Sequence, residues 1–303
     1  MISIGSVRSP GDAASYYARD NYYTADQAEG ASAWAGEGAA ELGLSGQVDA
    51  EQFAKVLAGE LPNGVILNAK RGEHRAGWDV TMSVPKSVSI LALVGGDQRL
   101  VVAVRQAAAA TLAWAEANIA EGRVWNSKGQ MPETTGRFVA ATFLHDVNRV
   151  GEPQLHVHNV IANVTRTADG KWRALHADQL YERQHVMDAV FLSMLRGRVE
   201  TLGFVTIPRH DGRNGAFEIA GVSREVVEAF SVRSAQIDAY IKERGLENTP
   251  RTRQYAALAT RDPKSPDLAP EQRAEGWQRL AAEKGAGSGS VGEGRTGGGR
   301  AGA

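Results

Sequence analysis

Residues 77–84 read GWDVTMSV, and their alternation is the strongest constraint on what this chain can fold into. Trp78, Val80, Met82 and Val84 fall on one side of an extended segment, while Asp79, Thr81 and Ser83 fall on the other. A helix has a period of 3.6 residues and would scatter these side chains around its axis; a strand, with a period of two, separates them cleanly. The segment is therefore a strand with one buried and one polar face. The apolar side demands a packed layer behind it. The polar side is where a site can be built.

The rest of the chain supplies partners for that strand. ISIGSV at the N-terminus reads as a short strand. SPGDAASYYARDN reads as a helix with Asp12 near its N-cap, where a carboxylate accepts from free first-turn N–H groups. Residues 25–62 are Ala/Gly-rich and acidic, with one helix expected around 49–59. Pro85 suits the first turn of a helix that Gly95-Gly96 stops, and an Ala-rich helix is expected over 97–121. Strands follow around 137–146 and 154–165, with a turn at Asp169-Gly170 into KWRAL. A helix over 179–202 precedes a second hairpin, FVTI to AFEIAGV, and the remainder to about 284 reads as mostly helical. The class is α+β. Residues 285–303, GAGSGSVGEGRTGGGRAGA, hold nine glycines and read as a flexible tail or linker.

A hydrophobic fraction of 43% is enough for a substantial core. The absence of cysteine excludes disulfides and thiolate metal sites and fits a reducing cytoplasm. MISIGSVRSPGD is no secretory signal, and no apolar run reaches membrane-spanning length. The net charge of −1 hides an asymmetry: residues 25–61 carry −6, which leaves +5 for everything else. A modestly basic body remains compatible with nucleic acid.

Three of the seven histidines cluster in sequence: His145, His156 and His158. On a strand, His156 and His158 share a face, and His145 ends the strand expected to pair with theirs. Three imidazoles can hold a divalent ion and leave positions open for substrate or water. The bland alternative is a partly buried pair beside a polar strand end. Imidazole suits zinc, nickel, manganese or iron, and magnesium prefers oxygen. Asp79 on the neighbouring polar face can orient a histidine or take a proton as general base. Lys86, near a helix start, is a candidate phosphate contact, against the alternative of a solvated surface cation. SYYARDNYYT places four of the seven tyrosines, Tyr16, Tyr17, Tyr22 and Tyr23, within ten residues. A phenol titrating near pH ~10 needs a base or a positive charge to act as a nucleophile. Neighbours on a helix point about 100° apart, so adjacent pairs cannot all pack into one core.

The sequence resembles the relaxase domain of conjugative transfer proteins of the TraI/TrwC type, the MobF class of HUH endonucleases. The resemblance is carried by the opening strand, SYYARDNYY, WAGEGAAELGLSG (34–46), GWDVTMSVPKSVS (77–89) and FLHDVNRVGEPQLHVHNVIANVTR (143–166). It continues through EAFSVRSAQI (228–237) and RQYAALATRDPK (253–264). It implies an antiparallel sheet palm with helices on one face and C-terminal helices closing over DNA. It implies a relaxase domain over 1–284, with the tail leading towards a helicase region. The implied activity is nicking of one strand at an origin of transfer, with a 5′-phosphotyrosine intermediate and later rejoining. Tyr16 matches the main nucleophile, Tyr17 lies beside it, and Tyr22 and Tyr23 match the second pair. His145, His156 and His158 match the metal ligands, Asp79 the acidic partner and Arg149 a DNA contact.

Further expectations follow from the resemblance: one divalent ion, magnesium or manganese by family habit, single-stranded plasmid DNA as partner, coupling and accessory proteins of a type IV secretion system, and action in a bacterial cytoplasm. Two rivals remain on the residues alone. One is a three-histidine phosphodiesterase that uses water; the other is a non-catalytic single-strand DNA-binding module. Replication-initiator nickases place their tyrosine after the histidine motif. Here it precedes, as in the conjugative kind.

Overall fold

A computed structural model describes residues 1–11, 32–67, 75–127, 129–209, 215–260 and 269–285. Its centre is a five-stranded sheet in the order β1-β3-β7-β6-β2, antiparallel at every pairing. The strands are β1 (Ile2–Val7), β2 (Ser32–Ala35), β3 (Gly77–Ser83), β6 (Ala140–Val147) and β7 (Pro153–Ala162), with β4 (Glu121–Asn126) and β5 (Gly129–Thr134) forming a hairpin outside it. Residues 122–126 and 129–134, which carry no strand or helix pattern in the sequence, thus form that hairpin, and Glu121, expected at a helix end, joins it.

The expected alternation organises both faces. On one, Ile2, Ile4, Trp78, Val80, Met82, Leu144, Leu155, Val157 and Ile161 pack into the main core. That core is completed by α4 (Gln98–Ile119) and α6 (Gln184–Thr201), the two longest helices described. Residue 183 interrupts the helix expected over 179–202, giving α5 (Asp178–Glu182) and then α6. Two α6 side chains cover the exposed edge of β1: Asp188 Oδ1 accepts from Ile2 N at 2.8 Å, and Gln184 Nε2 donates to Ile2 O at 2.9 Å. An edge whose polar groups are occupied is a poor template for aggregation.

On the opposite face, the described helices pack against one end. There α1 (Glu37–Glu41) and α2 (Ala50–Ala58) form a smaller core with Trp34, Ala141, Phe143, Val160 and Ala162. Phe53 of α2 lies between Trp34 and Phe143, with ring centroids 6.0 and 5.4 Å away. Asp49 caps α2 by accepting from Gln52 N at 2.8 Å. Pro85 is the N-cap of α3 (Lys86–Ser89) rather than a residue of its first turn, and α3 runs into a π-helical turn, Ile90–Val94, before Gly95. The hairpin expected from FVTI to AFEIAGV, residues 204–222, is present in shorter form as Thr206–Pro208 paired with Phe217–Ile219. Beyond it lie α7 (Arg224–Ala229), α8 (Val232–Glu243), α9 (Pro250–Ala259) and α10 (Pro270–Gly285). The helix expected around Asp12 and the tail after 285 lie outside the described residues.

Gly77 is where β3 and β7 lie too close for any side chain. A Cβ there would sit 2.2 Å from the Ile161 carbonyl oxygen, a backbone atom that cannot step aside. Gly77→Ala is expected to cost about 1–3 kcal/mol, as overpacking in a tight layer does. A denaturant midpoint equal to wild type would contradict this.

Candidate metal centre

Strand register assembles the site on the other half of the second face. His145 on β6 lies opposite His156 on β7; His158 lies opposite Phe143 on β6 and Thr81 on β3. Alternation turns His145, His156, His158, Asp79 and Thr81 to this face, while Leu144, Leu155, Val157, Trp78 and Val80 anchor the same strands in the core. The three imidazole centroids are 4.7, 4.9 and 5.4 Å apart. One ring nitrogen from each lies within 4.8 Å of the others. His145 and His158 are buried.

Hydrogen bonds set two of the three tautomers. The Gln154 carbonyl can only accept, so His156 donates Nδ1–H to it at 2.7 Å and keeps its Nε2 lone pair. His158 Nδ1 donates to Asp79 Oδ2 at 2.7 Å, which leaves its Nε2 lone pair in the same way. Thr81, which the sequence did not single out, completes this corner: its hydroxyl lies 3.2 Å from Asp79 Oδ1 and 3.1 Å from His158 Nδ1. A carboxylate behind a ligating imidazole fixes its orientation and raises its basicity. Asp79 is thus placed to orient His158.

The residues fit a divalent ion. The donor set is three imidazoles, two with their lone pairs already presented, and tetrahedral metal–nitrogen bonds of ~2.1 Å place ligand atoms about 3.4 Å apart. The present donor atoms lie within 4.8 Å of one another, so a contraction of at most ~1.4 Å brings them to that spacing. Burial pushes the His156 imidazole down to about 4, helped by neighbouring His158 and opposed by the Gln154 carbonyl. The folded protein therefore keeps this ligand neutral at pH values where an exposed imidazole is protonated. An unfolded chain takes up that proton near 6.5, so this residue makes stability rise with pH between about 4 and 6.5. Thermal melts of metal-free protein across this window should show a shallower slope in His156→Gln than in wild type. Identical slopes would rule the effect out.

The remaining candidates are spread more widely. Lys86 is not a solvated cation: Nζ donates to the Pro153 carbonyl at 3.0 Å, and burial lowers it to about 8 against the pull of Glu152 and Glu218. Its charge is close enough to His156 to disfavour protonation there. Arg149 sits in the turn between β6 and β7, partly buried, and not in the histidine cluster. Tyr16, Tyr17, Tyr22 and Tyr23 lie outside the described residues.

Comparison with known proteins gives a consistent answer. Residues 10–284 match the family model described as TrwC relaxase. The multifunctional conjugation protein TraI of Escherichia coli (strain K12) is 38% identical over 298 residues, covering 94% of this chain. The chain spans only 16% of the length of that curated relative. Among solved structures, the conjugative relaxase TrwC in complex with OriT DNA, metal-bound, superposes with a TM-score of 0.84 at 37% identity, covering 94% of this chain and 99% of that one. TrwC complexed with a 27-mer DNA comprising the recognition hairpin and the cleavage site gives a TM-score of 0.83 at 36% identity and the same coverage.

Proposed function

This chain belongs to the TrwC relaxase family, and on that premise we propose that it nicks one strand of an origin of transfer and holds the cut end as a phosphotyrosine. The observation that carries this reading is the cluster of His145, His156 and His158 with Asp79 behind His158, on a fold shared with relaxases solved on OriT DNA.

In the proposed reaction the Tyr16 phenol oxygen forms a bond to the scissile phosphorus, and the bond from phosphorus to the 3′ oxygen breaks. The 5′ phosphate stays on the protein, and the proton lost by the phenol ends on the released 3′ hydroxyl. No water is consumed, so the phosphodiester energy is retained for rejoining. The three imidazoles would hold a divalent ion, which supplies Lewis-acid polarisation of the phosphate. In this reading Asp79 orients His158 and serves as the acidic partner of the attacking phenol. Tyr17 supports Tyr16; Tyr22 and Tyr23 serve the closing transfer. Lys86 and Arg149 contact the DNA backbone, Lys86 from a position already fixed on Pro153.

The metal is magnesium or manganese in this reading, and the imidazole ligands are also compatible with zinc or nickel. The DNA partner is single-stranded plasmid DNA in a bacterial cytoplasm, with coupling and accessory proteins of a secretion system alongside. No described helix is long and apolar enough to cross a membrane. The test is a labelled single-stranded oligonucleotide carrying the cognate origin, run on a denaturing gel after incubation with protein. A covalent band that needs divalent metal and disappears on chelation is expected. Cleavage without an adduct would instead establish a water-using hydrolase, and binding without cleavage a DNA-binding module.

A further inference from the structure

We infer that Arg273, on α10, is a positioning residue for the metal centre, acting through Asp146 on the strand end that carries His145. The inference rests on the reading of His145, His156 and His158 as metal ligands. Asp146 follows His145 directly, at the point where the β6–β7 register slips. There Arg273 Nη2 lies 3.1 Å from Asp146 Oδ2, and the two residues are only 7% and 8% exposed.

A buried ion pair is a poor way to gain stability, because removing both charges from water offsets much of their attraction. Nor does α10 need it in order to dock. Trp277, Leu280 and Ala281 pack with Ile90, Val94, Val226 and Phe230, and Trp277 Nε1 donates to the Gly151 carbonyl at 3.0 Å. What the pair does supply is position where the sheet supplies little. The β6–β7 register slips between His145 and Val147, so the regular ladder ends at the metal ligand. Beyond that point the Val147–Pro153 pair and the turn's own hydrogen bonds remain, and the chain is held from the C-terminal helices as well. Arg273 grips Asp146, Trp277 grips Gly151, and the Glu152 carboxylate accepts from the Val232 and Arg233 amides at the start of α8. His145 therefore takes its place relative to His156 partly from a helix more than a hundred residues later in the chain. By linkage, whatever holds α10 in place favours the metal site, and metal in turn favours docked α10.

The experiment measures Mn2+ affinity, by titration and by electron paramagnetic resonance, in wild type, Arg273→Gln, Asp146→Asn and the double variant. Melting curves identify which variants are folded. Each single variant should bind Mn2+ roughly 10-fold more weakly, in the range seen when groups that orient a ligand are removed. The double variant should be little worse than either single, because both act through one pair. Arg273→Lys should recover part of the affinity, and it serves with Asp146→Asn if Arg273→Gln does not fold. Hydrogen exchange of residues 273–285 should slow when Mn2+ is added to wild type. Unchanged affinity in folded variants, or strictly additive losses, would overturn the inference while leaving the metal reading intact. Failure of wild type to bind Mn2+ or any other divalent ion would remove both.

Discussion

Tyr16→Phe should slow formation of the covalent protein–DNA band by about 10³-fold while leaving metal affinity unchanged. The substitution deletes one oxygen and keeps the ring, so packing and hydrophobic area are nearly preserved. What it removes is the atom that bonds to phosphorus in the proposed reaction. Loss of a nucleophile in other enzymes lowers turnover by factors on the order of 10⁵–10⁶, with a residue sustained by binding and electrostatics alone. Here the fall is expected to be smaller, about 10³-fold or more, because Tyr17 is adjacent in sequence and can attack with poorer geometry. Tyr16→Phe/Tyr17→Phe should then remove the remainder. Quantitative adduct formation by Tyr16→Phe would mean that another of the four tyrosines is the nucleophile. Adduct formation with all four replaced would end the tyrosine reading.

His158→Ala should weaken divalent metal binding by about 10²-fold or more. If ~10 kcal/mol of binding is shared by three ligands, each contributes ~3 kcal/mol. The real loss is larger still, since the substitution also takes from Asp79 the imidazole that donates to it at 2.7 Å. Asp79→Asn separates these contributions: it keeps all three ligands and alters only the group behind one of them, for an expected 10–100-fold loss. Calorimetric titration of the purified protein reads both. Affinity in His158→Ala within twofold of wild type would show that the ion, if bound, sits elsewhere.

The sequence revealed most clearly what depends on period and spacing. The strand at 77–83 was legible because Trp78, Val80 and Met82 alternate without exception. The shared face of His156 and His158 was legible because they are two residues apart on a strand. The polar side of β3 pointed to Asp79. Thr81 was passed over because a threonine on a polar strand face carries no signal until the register sets it opposite His158. The hairpin over 121–134 was missed for a different reason: EGRVWNSKGQMPET has little alternation, and Pro132 argues against a strand. Helix α6 was legible as a pattern, but its break at Arg183 has no proline or glycine to announce it. Lys86 defied composition-level expectation because its acceptor, the Pro153 carbonyl, comes from a distant strand. The Arg273–Asp146 pair joins residues 127 apart, and no local pattern encodes such a meeting.

The placing of the main core on one face of the central sheet and the histidine cluster on the other has a consequence for the proposed function. The histidines on β6 and β7 and Asp79 on β3 point away from α4 and α6, the helices of the main core. Chemistry can therefore be deleted with the architecture kept. If the chain acts as proposed, a copy lacking its ligands would keep its fold and occupy the origin without cutting it. Mixed with working copies, it would act as a roadblock rather than a bystander, and transfer would fall in proportion to its share of the pool.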